Sequence, residues 1–283
     1  MSVSVSFWRS AGLSLLILAI FLGAWEIAVM PKAGGGGAAL DPEYAALLGQ
    51  AAAQGGTTPM PGPSAIAARL VELLADPFYV RGTNDQGIGV QIAYSLLRVG
   101  AGFGLAAIVA IPLGFVIGMS PLLNAALNPF IQVLRPVSPL AWMPLALYSI
   151  KDSAISAVFV IFICSIWPML LNTAFGVASV RREWLNVART LEAGRWRTAI
   201  RVILPAAAPT IVTGMRISIG IAWLVIVAAE MLVGGTGIGY WVWNQWNNLS
   251  IADIVIAILM IGLVGLALDR LLGLGARAVA WRE

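Results

Sequence analysis

The sequence has no histidine and a single cysteine, Cys164, which lies in an apolar run. The lack of histidine excludes imidazole-based metal sites and Cys–His nucleophiles, and a lone cysteine excludes a disulfide framework. Charged residues are also scarce, at 11% of the 283 residues, whereas a soluble domain carries about 25%. Hydrophobic residues make up 60% of the chain. So much apolar surface cannot be buried in one aqueous core, and the composition predicts an integral membrane protein.

Apolar runs divide the chain into six predicted transmembrane helices, which makes the predicted fold all-α. The first run extends from Ala11 to Met30, long enough to cross about 30 Å of hydrocarbon. A cleaved signal peptide is the alternative, but the run is too long for one and no small-x-small cleavage site follows it. Further runs, one of them split at Ser120-Pro121, supply the other five spans: Gly100–Met119, Pro129–Ile150, Ala154–Phe175, Pro205–Val233 and Ile251–Leu274.

The segment 31–89 differs in composition from the spans. It opens with four consecutive glycines at 34–37, continues rich in Ala, Gln and Gly, and turns at Pro61-Gly62-Pro63. These features are typical of a linker outside the membrane. From Ser64, a predicted N-cap, an amphipathic pattern predicts a short surface helix that ends at Asp76-Pro77. We therefore divide the chain into 1–30 with the N-terminal end and first span, 31–89 as external linker and surface helix, and 90–283 as the helical core.

Arginines set the predicted orientation, and we interpret the net charge of +4 through them rather than as a sign of nucleic-acid binding. Six of them lie between the fourth and fifth spans, at Arg181, Arg182, Arg189, Arg195, Arg197 and Arg201. Short loops rich in arginine stay in the cytoplasm, so this loop is predicted to be cytoplasmic. With six spans, Arg9 and the tail containing Arg277 and Arg282 fall on the same side.

The stretch from Asn186 to Pro205 in that loop predicts two short helices with a turn near Ala193-Gly194. It carries a small apolar face, formed by Val187, Ala188 and Leu191, with Trp196 beyond the turn. Such a helix pair suits docking into a groove on another protein. The alternative is an amphipathic helix that lies on the lipid surface, attracted by its arginines.

This stretch resembles the cytoplasmic coupling loop of ABC importer permeases, whose pattern is Glu-Ala-Ala, three residues, Gly, nine residues, then Ile-x-Leu-Pro. Ala188, the Val202-x-Leu204-Pro205 ending and the 20-residue spacing match the pattern. Asn186 stands where the family usually has Glu, a change that the nitrate-type branch tolerates. Glu192 stands where the family usually has Gly, which leaves the turn to Gly194.

Other stretches are similar to the nitrate, cyanate and bicarbonate branch of these permeases, and the resemblance extends roughly from Ser64 to the end of the chain. Two of these stretches are 134–142, which includes Arg135, and 162–168, which includes Cys164. The other two are 222–231, which includes Glu230, and the tryptophan-rich stretch 237–248. Alkanesulfonate and taurine permeases share the framework but less of these stretches.

The resemblance implies a type I ABC importer permease fold with six transmembrane helices and a cytoplasmic coupling helix in a loop at 181–204. It implies a non-catalytic subunit, paired with a second, identical permease copy, with two cytoplasmic ATPase subunits that hold ATP and magnesium, and with an external solute-binding protein. The chain has no P-loop pattern and is expected to bind no cofactor or metal itself. The implied location is the bacterial inner membrane, with both termini cytoplasmic. The implied coupling residues are Asn186, Val187, Ala188, Leu191, Glu192, Gly194, Trp196 and Pro205.

Glu26, Arg135, Arg216 and Glu230 are ionisable residues that fall within predicted spans. Charges are costly in hydrocarbon, so each is expected to face protein, water or a partner charge. Arg135 adjoins Pro136 and Pro139, which break the helix, and is a candidate station for a monovalent anion. The pathway candidates are therefore Arg135 and Ser138, with Trp142 as a wall and Glu230 nearby. The alternatives for Arg135 are an ion pair with Glu230 or an interfacial position where its head reaches water.

These observations predict the permease subunit of an ATP-driven importer for a small inorganic anion, with nitrate as the leading substrate. Cyanate, bicarbonate and sulfonates or taurine are the alternatives within the family. A stand-alone channel or ion-coupled transporter is the alternative from another class, but the inverted repeats expected of such transporters are not evident in the sequence. A membrane enzyme is disfavoured because the chain lacks histidine and has few membrane-depth carboxylates.

Overall fold

The computed structural model describes residues 2–30, 60–82 and 85–279, which form eleven α-helices and, within those ranges, no β-strand. The helices are α1 Ser2–Val29, α2 Pro63–Ala75, α3 Ile88–Met119, α4 Pro121–Leu134, α5 Trp142–Ile150, α6 Ser153–Ala178, α7 Arg182–Thr190, α8 Arg195–Thr198, α9 Leu204–Val233, α10 Ile238–Asn247 and α11 Ile251–Val279. A 3₁₀ turn at Pro139–Ala141 precedes α5, and a π-helical turn at Ala199–Ile203 joins α8 to α9. The all-α prediction is confirmed. The predicted glycine-rich linker at 31–59 lies outside the described residues.

Five of the described helical stretches are long and apolar enough to cross a membrane: Arg9–Val29, Ile88–Met119, Ser153–Ala178, Arg195–Val233 and Ile251–Gly275. The predicted span Pro129–Ile150 is different, because α4 and the segment Pro139–Ile150 meet at a bend of 77°. Pro136 and Pro139 lie at this bend and have no backbone N–H with which to continue the helical ladder. The number of spans reaches the predicted six when this bent pair counts as one.

The third helix begins earlier than the hydropathy pattern predicted, at Ile88 rather than Gly100. Its first turns carry Gln91, Ser95 and Arg98, all on one side of the helix, and these polar residues interrupt the apolar run. Gln91 and Ser95 are buried. The helix can bury them because they bond to other protein groups, an arrangement that hydropathy alone does not reveal.

The chain forms two compact units, one of Met1–Pro77 with Val242–Leu259 and the other of Phe78–Trp241 with Met260–Glu283. In the first unit, Glu26 of α1 accepts hydrogen bonds from the backbone N–H of Ser64 at 3.1 Å and from its Oγ at 2.7 Å. Ser64 was predicted as the N-cap of α2, but the helix begins at Pro63 and Gly62 occupies the cap position. The carboxylate at the end of the first apolar run is thereby partnered.

A second ionic contact of this unit joins α2 to the start of α11. Arg69 Nε lies 2.9 Å from an oxygen of Asp253, which is buried and also accepts from Ser250 Oγ at 2.9 Å. A hydrogen bond to the Asp253 carboxylate raises the pKa of Arg69 above its ordinary value, and a second hydrogen bond to Glu72 adds to this effect. The guanidinium therefore stays charged over the whole pH range in which the protein is folded.

In the second unit, α3, α6 and α9 pack side by side and form the core. Buried apolar residues fill the space between them, among them Ala106, Ala110, Met169, Leu170, Ala207 and Ile211. Polar contacts also cross the core, since Ser218 Oγ donates to the carbonyl oxygen of Ser165 at 2.7 Å. The core is thus a three-helix layer in which the backbones run close together.

Glycines set how closely α3 approaches α6. A Cβ at Gly114 would lie 2.6 Å from the carbonyl oxygen of Leu170, and one at Gly118 would lie 2.5 Å from that of Ala174. The Gly114-x-x-x-Gly118 and Gly214-x-x-x-Ser218 patterns predict such contacts, and both are confirmed. At Gly100-x-x-x-Gly104 no atom of the described residues lies within 4 Å of a Cβ at either position, so this pattern makes no such contact within the described chain.

Gly114→Ala should lower the stability of the folded chain by about 1–3 kcal/mol, because the added methyl group forces two backbones apart. Gly100→Ala on the same helix is the matched control and should leave stability unchanged or slightly raised. Thermal unfolding of the two purified variants in one detergent measures the difference. Equal melting temperatures for the two variants would show that the backbones at Gly114 are not in contact.

Candidate functional site

A cavity of 520 Å³ opens beside the bend between α4 and α5. One wall is the bend itself, from Arg135 to Pro139, and the other walls are α6 and α9. The remaining lining residues are Ile163, Cys164, Trp167, Pro168, Leu171, Asn172, Phe175, Ile217 and Ile221. The cavity is therefore mostly apolar, with its polar side chains on the bend and on α6.

Arg135 and Ser138 both line this cavity and are both exposed. Within the described ranges, no carboxylate lies within ion-pair distance of Arg135. The structure thus places together two of the pathway candidates derived from the sequence. An exposed, unpaired guanidinium in an apolar cavity attracts anions and offers planar N–H donors to their oxygens.

Trp142 and Glu230, the other two pathway candidates, do not line the cavity. Trp142 packs against a buried cluster that includes Met143, Val160 and Cys164. Cys164 of this cluster lines the cavity, whereas Trp142 does not.

Glu230 lies at the end of α9 and is 1% exposed. Its carboxylate accepts hydrogen bonds from Ser95 Oγ at 2.8 Å, from Arg98 Nη1 at 2.8 Å and from the backbone N–H of Gly239 at 3.0 Å. The charge partner of Glu230 is therefore Arg98 of α3. The alternative pairing with Arg135 is wrong, and the signal that indicates the partner is the polar stripe of Gln91, Ser95 and Arg98 along an apolar helix.

The same network fixes the loop between α9 and α10. Gln91 Oε1 accepts from the backbone N–H of Gly237 at 2.6 Å, and Ser95 Oγ accepts from that of Ile238 at 2.9 Å. A side chain at Gly237 would overlap the Glu230 carboxylate, and this glycine has a φ of +155°. Three elements, α3, the end of α9 and the start of α10, are thus joined at one buried carboxylate.

Arg98→Gln should destabilise the chain by about 3–5 kcal/mol, because it leaves a buried carboxylate without its charge partner. Adding Glu230→Gln to that variant removes the uncompensated charge and should restore most of the loss. Melting temperatures of the single and double variants, measured in one detergent, show the loss of stability and its recovery. An unchanged melting temperature for Arg98→Gln would contradict the pairing.

Arg216 of α9 pairs with Asp269 of α11 rather than with Glu230. Its Nη2 lies 2.8 and 2.7 Å from the two carboxylate oxygens, and its Nε lies 3.1 Å from the first. Both side chains are partly exposed, at 41% and 49%. The sequence indicates Arg216 as an intramembrane charge but does not reveal Asp269 as its partner.

A second surface of interest is the arginine-rich loop, in which α7 and α8 form the predicted helix pair. Val187, Leu191 and Trp196 are exposed at 58%, 75% and 80%, whereas Ala188 is 5% exposed. Leu191 and Val187 border an apolar groove of 360 Å³, together with Trp184, Ala188, Ala193, Arg197, Arg201 and Val202. The groove and its exposed rim give this loop an apolar surface, on which Ala188 serves as part of the floor.

The turn between α7 and α8 depends on Glu192 rather than on Gly194. Glu192 has a φ of +51°, the left-handed conformation that favours glycine. Gly194 has a φ of −59° and a ψ of 157° and occupies the N-cap position of α8. The expectation that Gly194 makes the turn is therefore wrong, and the left-handed residue occupies the position at which the coupling-loop pattern has its glycine. Asn186 is exposed on α7, and Pro205 lies in the first turn of α9.

Comparison with known proteins gives this architecture a family. Residues 110–280 match the binding-protein-dependent transport system inner membrane components. The chain belongs to this family. Members are non-catalytic, multi-pass subunits of the inner membrane that associate with an ATPase and a binding protein.

Curated relatives cover most of this permease. It is 46% identical over 211 residues to the nitrate import permease protein NrtB of a Synechocystis species, covering 75% of this chain and 77% of that one. It is 43% identical over 240 residues to the bicarbonate transport system permease protein CmpB of Synechococcus elongatus, covering 84% of each. The family match over residues 110–280 includes the cavity and the arginine-rich loop.

Solved structures support the fold. The inward-facing MetNI methionine ABC transporter gives a TM-score of 0.56 at 13% identity, covering 68% of this chain and 95% of that one. An amino acid ABC transporter gives 0.54 at 15% identity, covering 77% and 100%. The permease therefore has the type I ABC importer fold that the resemblance implied.

Proposed function

We propose that this permease carries nitrate across the membrane, and that Arg135 and Ser138 contact the anion on its way. The observation that supports this assignment is the unpaired Arg135 guanidinium in the 520 Å³ cavity. The similarity to a nitrate import permease supports the choice of anion. Bicarbonate is the second candidate, because a bicarbonate permease is similar at 43% identity.

The cavity suits a weakly hydrated monovalent anion. Arg135 supplies one positive charge, and the Ser138 hydroxyl and the Asn172 amide supply neutral polar groups at the same cavity. Asn172 Nδ2 already donates one N–H to the carbonyl oxygen of Pro168 at 2.8 Å, so its second N–H is the donor that Asn172 can offer to an anion. One charge with few neutral partners binds an anion weakly, and weak binding is what a transport pathway requires for release.

Arg135→Gln keeps hydrogen-bond donors but removes the charge. It should reduce nitrate import about tenfold, because a loss of about 1.4 kcal/mol of attraction corresponds to a factor of about ten. Arg135→Lys, the control, keeps the charge and should retain more import than the glutamine variant. Uptake of labelled nitrate is measured in vesicles containing the permease, its ATPase and its binding protein. Full import by the glutamine variant would contradict the role of Arg135. Uptake of bicarbonate in place of nitrate would favour the second candidate.

The proposed assembly contains two identical permease copies, two ATPase subunits that hold ATP and magnesium, and one external solute-binding protein. Both termini and the arginine-rich loop lie in the cytoplasm in this proposal. The six arginines of that loop support this orientation, because positively charged short loops remain on the cytoplasmic side.

The arginine-rich loop is the proposed contact with the ATPase. Its apolar groove, with exposed Leu191 and Val187 beside Arg197 and Arg201, offers an apolar surface with a basic rim. Trp196 extends the apolar surface beyond the groove. The alternative is that the groove contacts the lipid surface. A buried acidic side chain would weaken either contact. Only contact with the ATPase, however, is measured by recovery of the ATPase with the permease.

Leu191→Asp should weaken ATPase binding about tenfold or more, because it places a charge where docking would bury a leucine side chain, a burial worth about 1.5–3 kcal/mol. Leu191→Met keeps the apolar surface and should bind normally. Co-purification of the ATPase with each permease variant at several salt concentrations gives the comparison. Normal ATPase recovery with Leu191→Asp would exclude the groove as the docking surface. Ala188 is unsuitable for this test, because it is buried within the loop and its substitution would disturb folding.

A further inference from the structure

The Arg216–Asp269 pair lies within two helical stretches that are long and apolar enough to cross a membrane. Arg216 is about 18 Å along α9 from its first residue, Leu204, at 1.5 Å per residue. Asp269 lies well inside α11, before its last turns. Both side chains nevertheless expose close to half of their surface, at 41% and 49%. An ion pair so exposed at this depth is too costly to face hydrocarbon, so it faces water or protein.

A cavity of 480 Å³ lies against this pair. Its lining residues are Thr213, Arg216, Ile217, Gly220, Ile221, Leu224 and Asp269. Ile217 and Ile221 also line the cavity that contains Arg135, so the two cavities are neighbours separated by a ridge of two side chains. Gly220 leaves the wall open, because a Cβ there would meet no atom within 4 Å.

The geometry of the pair leaves part of the guanidinium available. Nε and Nη2 of Arg216 donate to the Asp269 oxygens, whereas Nη1 makes no hydrogen bond within the described ranges. An arginine has five N–H donors, of which Nη1 carries two. An anion in the cavity can therefore bind Nη1 without breaking the ion pair.

We infer that Arg216 is a second anion station on the pathway, and that Asp269 weakens its hold on the anion. This inference rests on the proposed function, the passage of a small monovalent anion through this permease. Arg135 carries an uncompensated charge, whereas the charge of Arg216 is balanced by its carboxylate partner. The second station therefore binds the anion less strongly than an unpaired arginine would, which keeps the anion mobile between the two cavities.

A cysteine at Gly220 reports on this station, because it projects into the second cavity beside Arg216. In the assembled importer, Gly220→Cys should react with a small anionic thiol reagent, and nitrate should slow the reaction by competing for the same site. The unchanged chain, which contains only Cys164, gives the background rate. Ile108→Cys is the matched control, since Ile108 is 71% exposed on α3 but lines neither cavity, and it should not react. A Gly220→Cys variant that does not react, or that forms a disulfide between two permease copies, overturns the inference.

Substitutions at the ion pair test the role of the charges. Combined with Gly220→Cys, Asp269→Asn should lower the nitrate concentration that halves the reaction rate by about tenfold, as expected when one nearby negative charge is removed. Arg216→Gln should abolish the protection by nitrate, and Arg216→Lys should keep part of it. Unchanged protection in Arg216→Gln overturns the station.

Import by the unchanged complex separates this inference from the proposed function. If that complex imports nitrate while nitrate gives no protection at Gly220→Cys, the station is wrong and the function stands. If bicarbonate, rather than nitrate, is imported and protects the cysteine, the station stands and the choice of nitrate is wrong.

Discussion

A charge at membrane depth must be paired, hydrated or hydrogen-bonded, and this constraint accounts for the main polar features of the permease. Glu230 meets it by burial beneath three donors, among them Arg98. Arg216 meets it through a bidentate pair with Asp269 that remains open to a cavity. Arg135 meets it by facing a cavity without any carboxylate partner among the described residues. The three charges thus differ in their surroundings: Glu230 connects helices, Arg216 lies at a cavity with its charge balanced by a partner, and Arg135 lies at a cavity without one.

Close helix packing gives these charges fixed positions. The glycines that bring α3 against α6 allow backbone contact, so the helices cannot shift without losing it. The bent pair α4–α5 lies outside this tight packing, and its two prolines leave a space that α6 and α9 close on the other side. The cavity therefore lies between the bend, where the helix is interrupted, and the neighbouring layer of uninterrupted helices.

The sequence predicted the class, the spans and the bend because these depend on local patterns of apolar residues and prolines. It placed Arg135 and Ser138 together because they are adjacent in the chain. It did not identify Arg98 or Asp269 as charge partners, because each is far along the chain from Glu230 or Arg216 and only packing brings them together. The stripe of Gln91, Ser95 and Arg98 indicates a buried polar surface on α3, but it does not indicate which residues contact that surface. The turn was misplaced for another reason: Glu192 adopts a backbone conformation that its residue type disfavours, so residue type alone pointed to Gly194.

One continuous helical stretch links the arginine-rich loop to both cavities. Arg195–Val233 runs from α8 through the π-helical turn at Ala199–Ile203 into α9. The same stretch carries Ile217 and Ile221 between the cavities and, near its end, Glu230, which pairs with Arg98 of α3. The loop, the ridge between the cavities and the buried carboxylate are therefore connected through one helix. The π-helical turn lies on this stretch between the loop and the cavities, and such turns are frequent at functional sites.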